Sequence, residues 1–477
     1  LAVRDPVGQK PRYFARDTTG VVVASDPRAV TDVTGRQQPD LGAYAAYLAT
    51  ATPTGTRGLH TTRQSFFAGV EIVPAGHALR IDAAGNVNME RIFAPWQLVD
   101  PERQRAIAGR SVDELADELD ALLQQAVARH LVSDVPVGVL LSGGIDSSAV
   151  YWHAVAREPG LQTFTKTSPG IESIPLTVVP KLLQQRPATA HFILQRRASF
   201  VRELDAFVRR SHAPSRWNSG PSMESLCHAA RRNGVIVLLG GDCMDEFFGG
   251  YVHYRDYFAR RPPEDDLGPL VDLLPGAAQA ELCASYLAEQ RAVRAEILQH
   301  LGFVADADER LQQATLLHDS ATFLQTCSLP HSDAYSMAAS VELRNPMLDL
   351  DLFAFVVNLP MRLRAAVDSS GEFGKVLFRR LAAREMGAFT NVAKEGTRNY
   401  AMQMANPEYW DLSRFAVAEV CRLPVDPDAR DLIRMINLEM FHQAFFGDDR
   451  ESGIADRMTA AGRAAFPDSS NADRPSA

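Results

Sequence analysis

The chain has 477 residues, 46% of them hydrophobic and 22% charged, with a formal net charge of −9. This balance excludes a wholly disordered chain and argues against a global basic field for nucleic acid. No apolar run reaches the roughly 18–20 residues that cross a bilayer, and the opening LAVRDPVGQKPRYF lacks the apolar core of a signal peptide.

The length predicts two or three domains. In chain order, the first hundred residues read as short β segments. VVVAS (21–25) and HALRIDAAGNV (77–87) carry the β-formers, and Ala84-Gly85-Asn86 reads as a hairpin turn. The charged stretch from Asp100 to Arg110 reads as a linker. Ser111 then opens an amphipathic helix. Ser111 and Glu114 form a capping box, and Val112, Leu115, Leu119, Leu122, Leu123 and Val127 follow at helical spacing.

VPVGVLLSGGIDSSAVYWHAVA (135–156) begins as a buried strand, crosses a Ser/Gly loop and continues as a helix. LQTFTKT (161–167) is a second candidate strand, followed by a helix near Arg197 to Arg210. GVIVLLGGD (234–242) is a third buried strand, again ending on glycines. Strands that alternate with helices and carry loops at their carboxyl ends predict an α/β fold with a parallel sheet. From about Gly268 the chain reads mostly helical, and 466–477 reads as a disordered tail. Cys227, Cys243, Cys283, Cys327 and Cys421 are widely spaced with no CxxC pair, which favours buried thiols in a reducing cytoplasm over zinc or disulfides.

The loop Ser142-Gly143-Gly144-Ile145-Asp146-Ser147-Ser148 lies between a strand and a helix. Glycines allow close backbone approach, and helix N-terminal amides with serine hydroxyls bind an anion. Asp146 would repel phosphate unless a cation lay between them, which implies Mg²⁺. No lysine follows the glycines, so this is not the phosphate loop of kinases and GTPases.

SGGIDSS after VPVGVLL resembles the PP-loop of ATP pyrophosphatases, and specifically that of the asparagine synthetase family. Four further segments resemble that family in order: RDPVGQKPRYF (4–14), VASDPRAV (23–30), GGDCMDEFFGGYVHY (240–254) and SMAASVELRNPMLD (336–349). The resemblance implies cleavage of ATP to AMP and pyrophosphate through an acyl-adenylate. It implies an α/β PP-loop (adenine nucleotide alpha hydrolase-like) synthetase domain over 111–465, preceded in 1–100 by the C-terminal part of a glutaminase-like (Ntn-type) domain.

On the matching positions, Ser142, Gly143, Gly144, Ser147 and Ser148 would cradle pyrophosphate, while Leu141, Gly240 and Gly241 would contact the nucleotide. Asp146 and Asp245 match the two Mg²⁺-binding aspartates, and Asp242 the acidic residue linked to acyl-adenylate formation. Lys375, in GEFGKVLFRR, and Lys394, in AKEGT, are candidate lysines for the α-phosphate. Glu342 with Arg344 would shape the acyl-acceptor end, a structural ion pair being the alternative.

The pattern also departs from the family. The glutaminase nucleophile is a cysteine upstream of the RDPxGxKP strand, yet that strand begins here at Arg4, and the first cysteine is Cys227. A piece of a longer protein is the favoured expectation over loss of glutamine hydrolysis. TFTKTSPG (163–170) replaces the adenine-contacting SFSxGF, with an unexpected Lys166, and only Glu172 survives of an acidic segment that follows. Cys243 and Met244 replace small residues in the pyrophosphate loop.

The expected function is amide formation from ATP, a small-molecule carboxylate such as aspartate, and ammonia or another amine donor. The alternative is a ring-forming relative, such as a β-lactam synthetase or a lasso peptide macrolactam cyclase. Acidic charge and the missing CxxC disfavour a tRNA-modifying enzyme, and retention of Asp146 and Asp245 disfavours a non-catalytic remnant. No nucleic-acid or membrane partner is expected; a homodimer is left open.

Overall fold

The computed structural model describes residues 1–51, 63–168, 174–197, 199–215, 219–267, 272–273, 284–390, 400–420, 429–447 and 453–466. Among the described residues, seven strands lie in the first hundred: β1 (Ala2–Val3), β2 (Tyr13–Arg16), β3 (Val21–Ala24), β4 (Thr50–Ala51), β5 (Glu71–Ile72), β6 (His77–Ile81) and β7 (Val87–Arg91). They form two antiparallel sheets of order β1-β6-β7 and β3-β2-β5, while β4 pairs with β12 (Asp272–Leu273). The β6–β7 hairpin closes through Asp82, whose carboxylate accepts from Ala84 and Asn86, with Gly85 at φ +78° as the turn requires.

The stretch from Asp100 to Arg110, expected as a linker, is largely helical. Asp100 caps a helix over Pro101–Ala108, its carboxylate accepting from Glu102 N–H at 2.8 Å, with proline at the first helical position. These cap signals outweigh the charge that suggested an open segment. The capping box at Ser111 does start the Val112–Leu131 helix.

Five parallel strands follow: β8 (Val137–Leu140), β9 (Gln162–Thr167), β10 (Thr189–Leu194), β11 (Val237–Leu239) and β13 (Glu342–Arg344). Their order is β10-β9-β8-β11-β13. The chain grows outward from β8 through β9 and β10, then crosses back to β11. The switch point therefore lies between β8 and β11, where loops from neighbouring strands part to leave a crevice. β13 falls inside the region that reads as helical. Three residues are too few for a periodic signal, and the sheet supplies the pairing that their sequence does not announce.

Residues alternate between two cores. Val139 and Leu239 face the helices Val112–Leu131, Ile145–Arg157 and Val376–Met386. Leu140, Phe164, Leu238 and Leu343 face Leu226, Cys227 and Tyr335 on the other side. Burial on both faces explains why these strands read as continuous apolar runs. A third core joins Tyr44, Tyr47, Phe66 and Phe67 to Phe200, Leu204 and the Ala429–Phe445 helix, so the first hundred residues share packing with the end of the chain. Phe466 belongs to that core at 5% exposure, which removes it from the expected tail; 467–477 lie outside the described residues. No helix among the described residues is long and apolar enough to cross a membrane. Cys227, Cys243 and Cys327 are buried, while Cys283 and Cys421 lie outside the described residues.

Candidate active site

At the switch point, β8 runs into Leu141 and the Ser/Gly loop. Leu141 places its side chain in the core, its N–H donates to the Phe164 carbonyl at 3.0 Å, and its carbonyl accepts from Thr165 Oγ1 at 2.7 Å. The strand end is thus pinned to β9 immediately before the loop. Gly143 takes φ +80°, where a side chain would be strained. Gly144 begins the Ile145–Arg157 helix with no side-chain cap, so no side chain of the N-cap residue satisfies its first amides.

The serines organise the turn. Ser147 Oγ donates to the Gly144 carbonyl at 3.1 Å and accepts from Ser142 N–H at 3.2 Å, with Ser142 Oγ 3.0 Å away. Ser148 is fully buried, and its Oγ has no hydrogen-bond partner among the described residues. A buried hydroxyl left unpaired at a helix N-terminus suits an anionic acceptor.

The loop after β11 closes on this helix. A Cβ on Gly241 would lie 2.6 Å from Ser147 N, and one on Gly240 would lie 2.5 Å from Asn345 Oδ1. At Gly241, which packs on backbone, glycine is a packing requirement; at Gly240 the contact is with the end of the Asn345 side chain. Next, Cys243 adopts φ +91° as the N-terminal neighbour of the Met244–Phe248 helix. That left-handed conformation favours glycine, at one of the two positions where the sequence replaces an expected small residue.

Lys375 joins the two loops. Its Nζ lies 2.5 Å from Asp146 Oδ2 and 2.8 Å from Asp245 Oδ1, and the side chain is only 3% exposed. Burial disfavours its charge, but the two carboxylates outweigh burial and raise its pKa above the ordinary lysine value. The backbone at Lys375 is left-handed, φ +57°, and Gly374 before it packs so closely on Gly249 that a Cβ would lie 2.5 Å from its carbonyl oxygen. A Cβ on Gly250 would collide with both Asp245 and Lys375.

Four carboxylates, Asp146, Asp242, Asp245 and Glu246, act on the buried Cys243 thiol and add to the effect of burial in raising its pKa. Asp242 accepts from Ser332 Oγ at 3.0 Å, and Glu246 from Tyr251 Oη at 2.9 Å. Two carboxylates that share one ammonium offer hard oxygen donors within reach of a single small cation, which fits Mg²⁺. Among the described residues no three His, Cys, Asp or Glu side chains form a metal cluster, so phosphate and water would complete the shell.

Other expected residues fall elsewhere. Glu342 pairs with Arg344 at 2.8 Å, and Arg344 also donates to the carbonyls of His130 and Val132 at the C-terminal end of the Val112–Leu131 helix. The hydrogen bond from Arg344 holds the Glu342 carboxyl below its usual pKa. The Glu342–Arg344 ion pair forms, with both side chains partly exposed. Lys394 and Glu172 lie outside the described residues. Lys166 is buried at the carboxyl end of β9. Sequence reading missed Ser332, which precedes the SMAASVE motif and carries no signal of its own. It also missed the close packing of Gly250, although the FFGGY motif contains it.

A parallel sheet of this order, with a Ser/Gly loop and paired aspartates at its switch point, defines a PP-loop synthetase fold. Residues 118–395 match the asparagine synthase family, more than half of the chain, and the chain belongs to that family. A glutamine-hydrolysing "putative asparagine synthetase" of Mycobacterium tuberculosis is 29% identical over 409 residues, covering 76% of this chain and 59% of the relative. Asparagine synthetase 3 of Bacillus subtilis, also named glutamine-hydrolysing, is 25% identical over 400 residues with the same coverage of each. The chain thus spans about three-fifths of the length of these relatives. Among solved structures, NMN synthetase from Francisella tularensis is similar at 15% identity and a TM-score of 0.24, covering 46% of this chain and 97% of that one.

Proposed function

We propose that the chain is an ATP-dependent amide-forming ligase that activates the side-chain carboxylate of aspartate and transfers it to ammonia. The Asp146–Lys375–Asp245 cluster beside the open helix N-terminus carries this reading. A carboxylate is a poor electrophile, and attack of its oxygen on the α-phosphorus, with pyrophosphate leaving, converts it to an acyl-adenylate. The amine nitrogen then attacks the acyl carbon, loses a proton, and AMP departs.

Helix amides with Ser142, Ser147 and Ser148 would hold the departing pyrophosphate. Asp146 and Asp245 would hold Mg²⁺, which when bound neutralises charge on the phosphate oxygens. Lys375, kept protonated by both aspartates, would place a fixed positive charge beside the transferring phosphoryl group. Asp242 would act at the acyl end, and Lys394 would serve as a second cation near the α-phosphate. The test pairs turnover with binding. Asp146→Asn is expected to lower pyrophosphate release by at least about a hundredfold, in line with losing one electrostatic stabiliser, while the protein stays folded. Unchanged release in Asp146→Asn would refute the assignment.

A further inference from the structure

The helix Leu329–Ala338 touches the catalytic loop and the first residues of the chain at once. It follows a π-helical turn over Leu324–Ser328, a local change of pitch that often marks a functional site. Ser328 Oγ reaches Glu246 Oε1 at 3.5 Å, and Ser332 Oγ donates to Asp242 Oδ2 at 3.0 Å. Residues 328 and 332 are one helical turn apart, and their hydroxyls reach the carboxylates of Glu246 and Asp242 respectively, so this face of the helix lies along the carboxylate-bearing segment.

The neighbouring residue, Asp333, points elsewhere. Its carboxylate is 2.8 Å from Lys10 Nζ, across 323 residues of sequence, and its side chain is 13% exposed. Burial raises the Asp333 pKa, Lys10 and Arg4 oppose that, and Asp26 adds to it. Lys10 is therefore the main partner of a carboxylate that is costly to leave alone. The helix also packs on β13, on Phe200–Ser211 and on Gly220–Arg232, with the His331 ring edge-on to Phe207.

We propose that this helix is a strut that positions Asp242. Ser332 is the positioning residue at the loop, and the Lys10–Asp333 pair fixes the strut from the first-hundred-residue segment. The role of Asp242 rests on the ligase reading above, but the strut does not. The order of the 242–246 loop depends on a lysine more than two hundred residues away.

Hydrogen exchange on the full chain tests this without substrate. Ser332→Ala is expected to speed exchange at least threefold over 240–248, and Lys10→Met over both 329–338 and 240–248. Lys10→Arg, which keeps the ion pair, is expected to restore rates to within twofold of the unaltered protein. An effect of Lys10→Met confined to residues 1–16, or failure of Lys10→Arg to restore rates, would overturn the proposal. Faster exchange throughout, including the Val112–Leu131 helix, would mean lost global stability and would overturn it as well. In turnover, Ser332→Ala is expected to lower kcat for pyrophosphate release at least tenfold with the ATP KM within twofold. Absent turnover in the unaltered protein would count against the function, while exchange would still decide the strut.

Discussion

Replacing Lys375 with methionine keeps the length of the side chain and removes its charge. At an effective dielectric near 20, an ammonium at 2.5 and 2.8 Å from two carboxylates gains about 6 kcal/mol from each. Desolvation takes back several kcal/mol per ion, so the intact cluster is worth far less than that attraction. The substitution is a different matter, because it leaves two carboxylates facing each other at 18% and 13% exposure. The expected loss is about 3–5 kcal/mol, read as a lower Tm or urea midpoint. Millimolar Mg²⁺, which supplies the missing charge to the same oxygens, should return part of it. Saturation to 100 times Kd is worth about 2.7 kcal/mol, so the Mg²⁺-dependent gain should be larger in K375M than in the unaltered protein. A second change, Asp245→Asn, should also recover stability in the K375M background. Equal Mg²⁺ effects in both proteins, or no loss of stability in K375M, would refute the electrostatic account. Because the Lys375 pKa is raised, its contribution is complete below the ordinary lysine value and fades only as pH climbs through the raised one. A loss of this contribution between pH 7 and 9 would contradict that assignment.

Gly241→Ala would set a Cβ 2.6 Å from Ser147 N and force two backbone segments apart, so pyrophosphate release should fall at least about tenfold, with about 1–3 kcal/mol of stability lost; full activity would mean the loops can separate without penalty. Cys243, buried and raised in pKa by burial and four carboxylates, should resist thiol reagents at pH 8 until the protein unfolds, and rapid native labelling on peptide mapping would contradict its placement. Arg344→Ala removes donors to two carbonyls and should cost about 1–3 kcal/mol in urea titration. Since Arg344 lowers the Glu342 pKa, the part of that loss due to Glu342 is present above the ordinary glutamate value and should shrink as pH falls below about 4.

The legible parts of this protein are those where local chemistry and global fold agree. VPVGVLLSGGIDSS carries a buried strand, a glycine turn and a helix start in fourteen residues, and each element forms where the pattern places it. The Ser111 capping box and the β6–β7 hairpin are legible for the same reason. At Asp100 the helix signal is local, a cap followed by proline, and the high charge of 100–110 masks it. β10 and β13 were missed because short strands in a parallel sheet take their identity from neighbours far along the chain. At the site, the motif residues carry their own signal, whereas Ser332 matters only because folding brings a helix against Asp242. Glu342 and Arg344, two residues apart on one face of β13, form the ion pair that their spacing allows.

The most direct test of the central claim is pyrophosphate release from ATP and Mg²⁺ with aspartate and ammonia, with mass-spectrometric identification of the product. The account predicts aspartate-dependent pyrophosphate and AMP in equal amounts, asparagine as the product, and loss of all three in Asp146→Asn. No release above background from a folded chain that binds ATP would contradict aspartate as the acid and would point to a substrate that supplies its own amine.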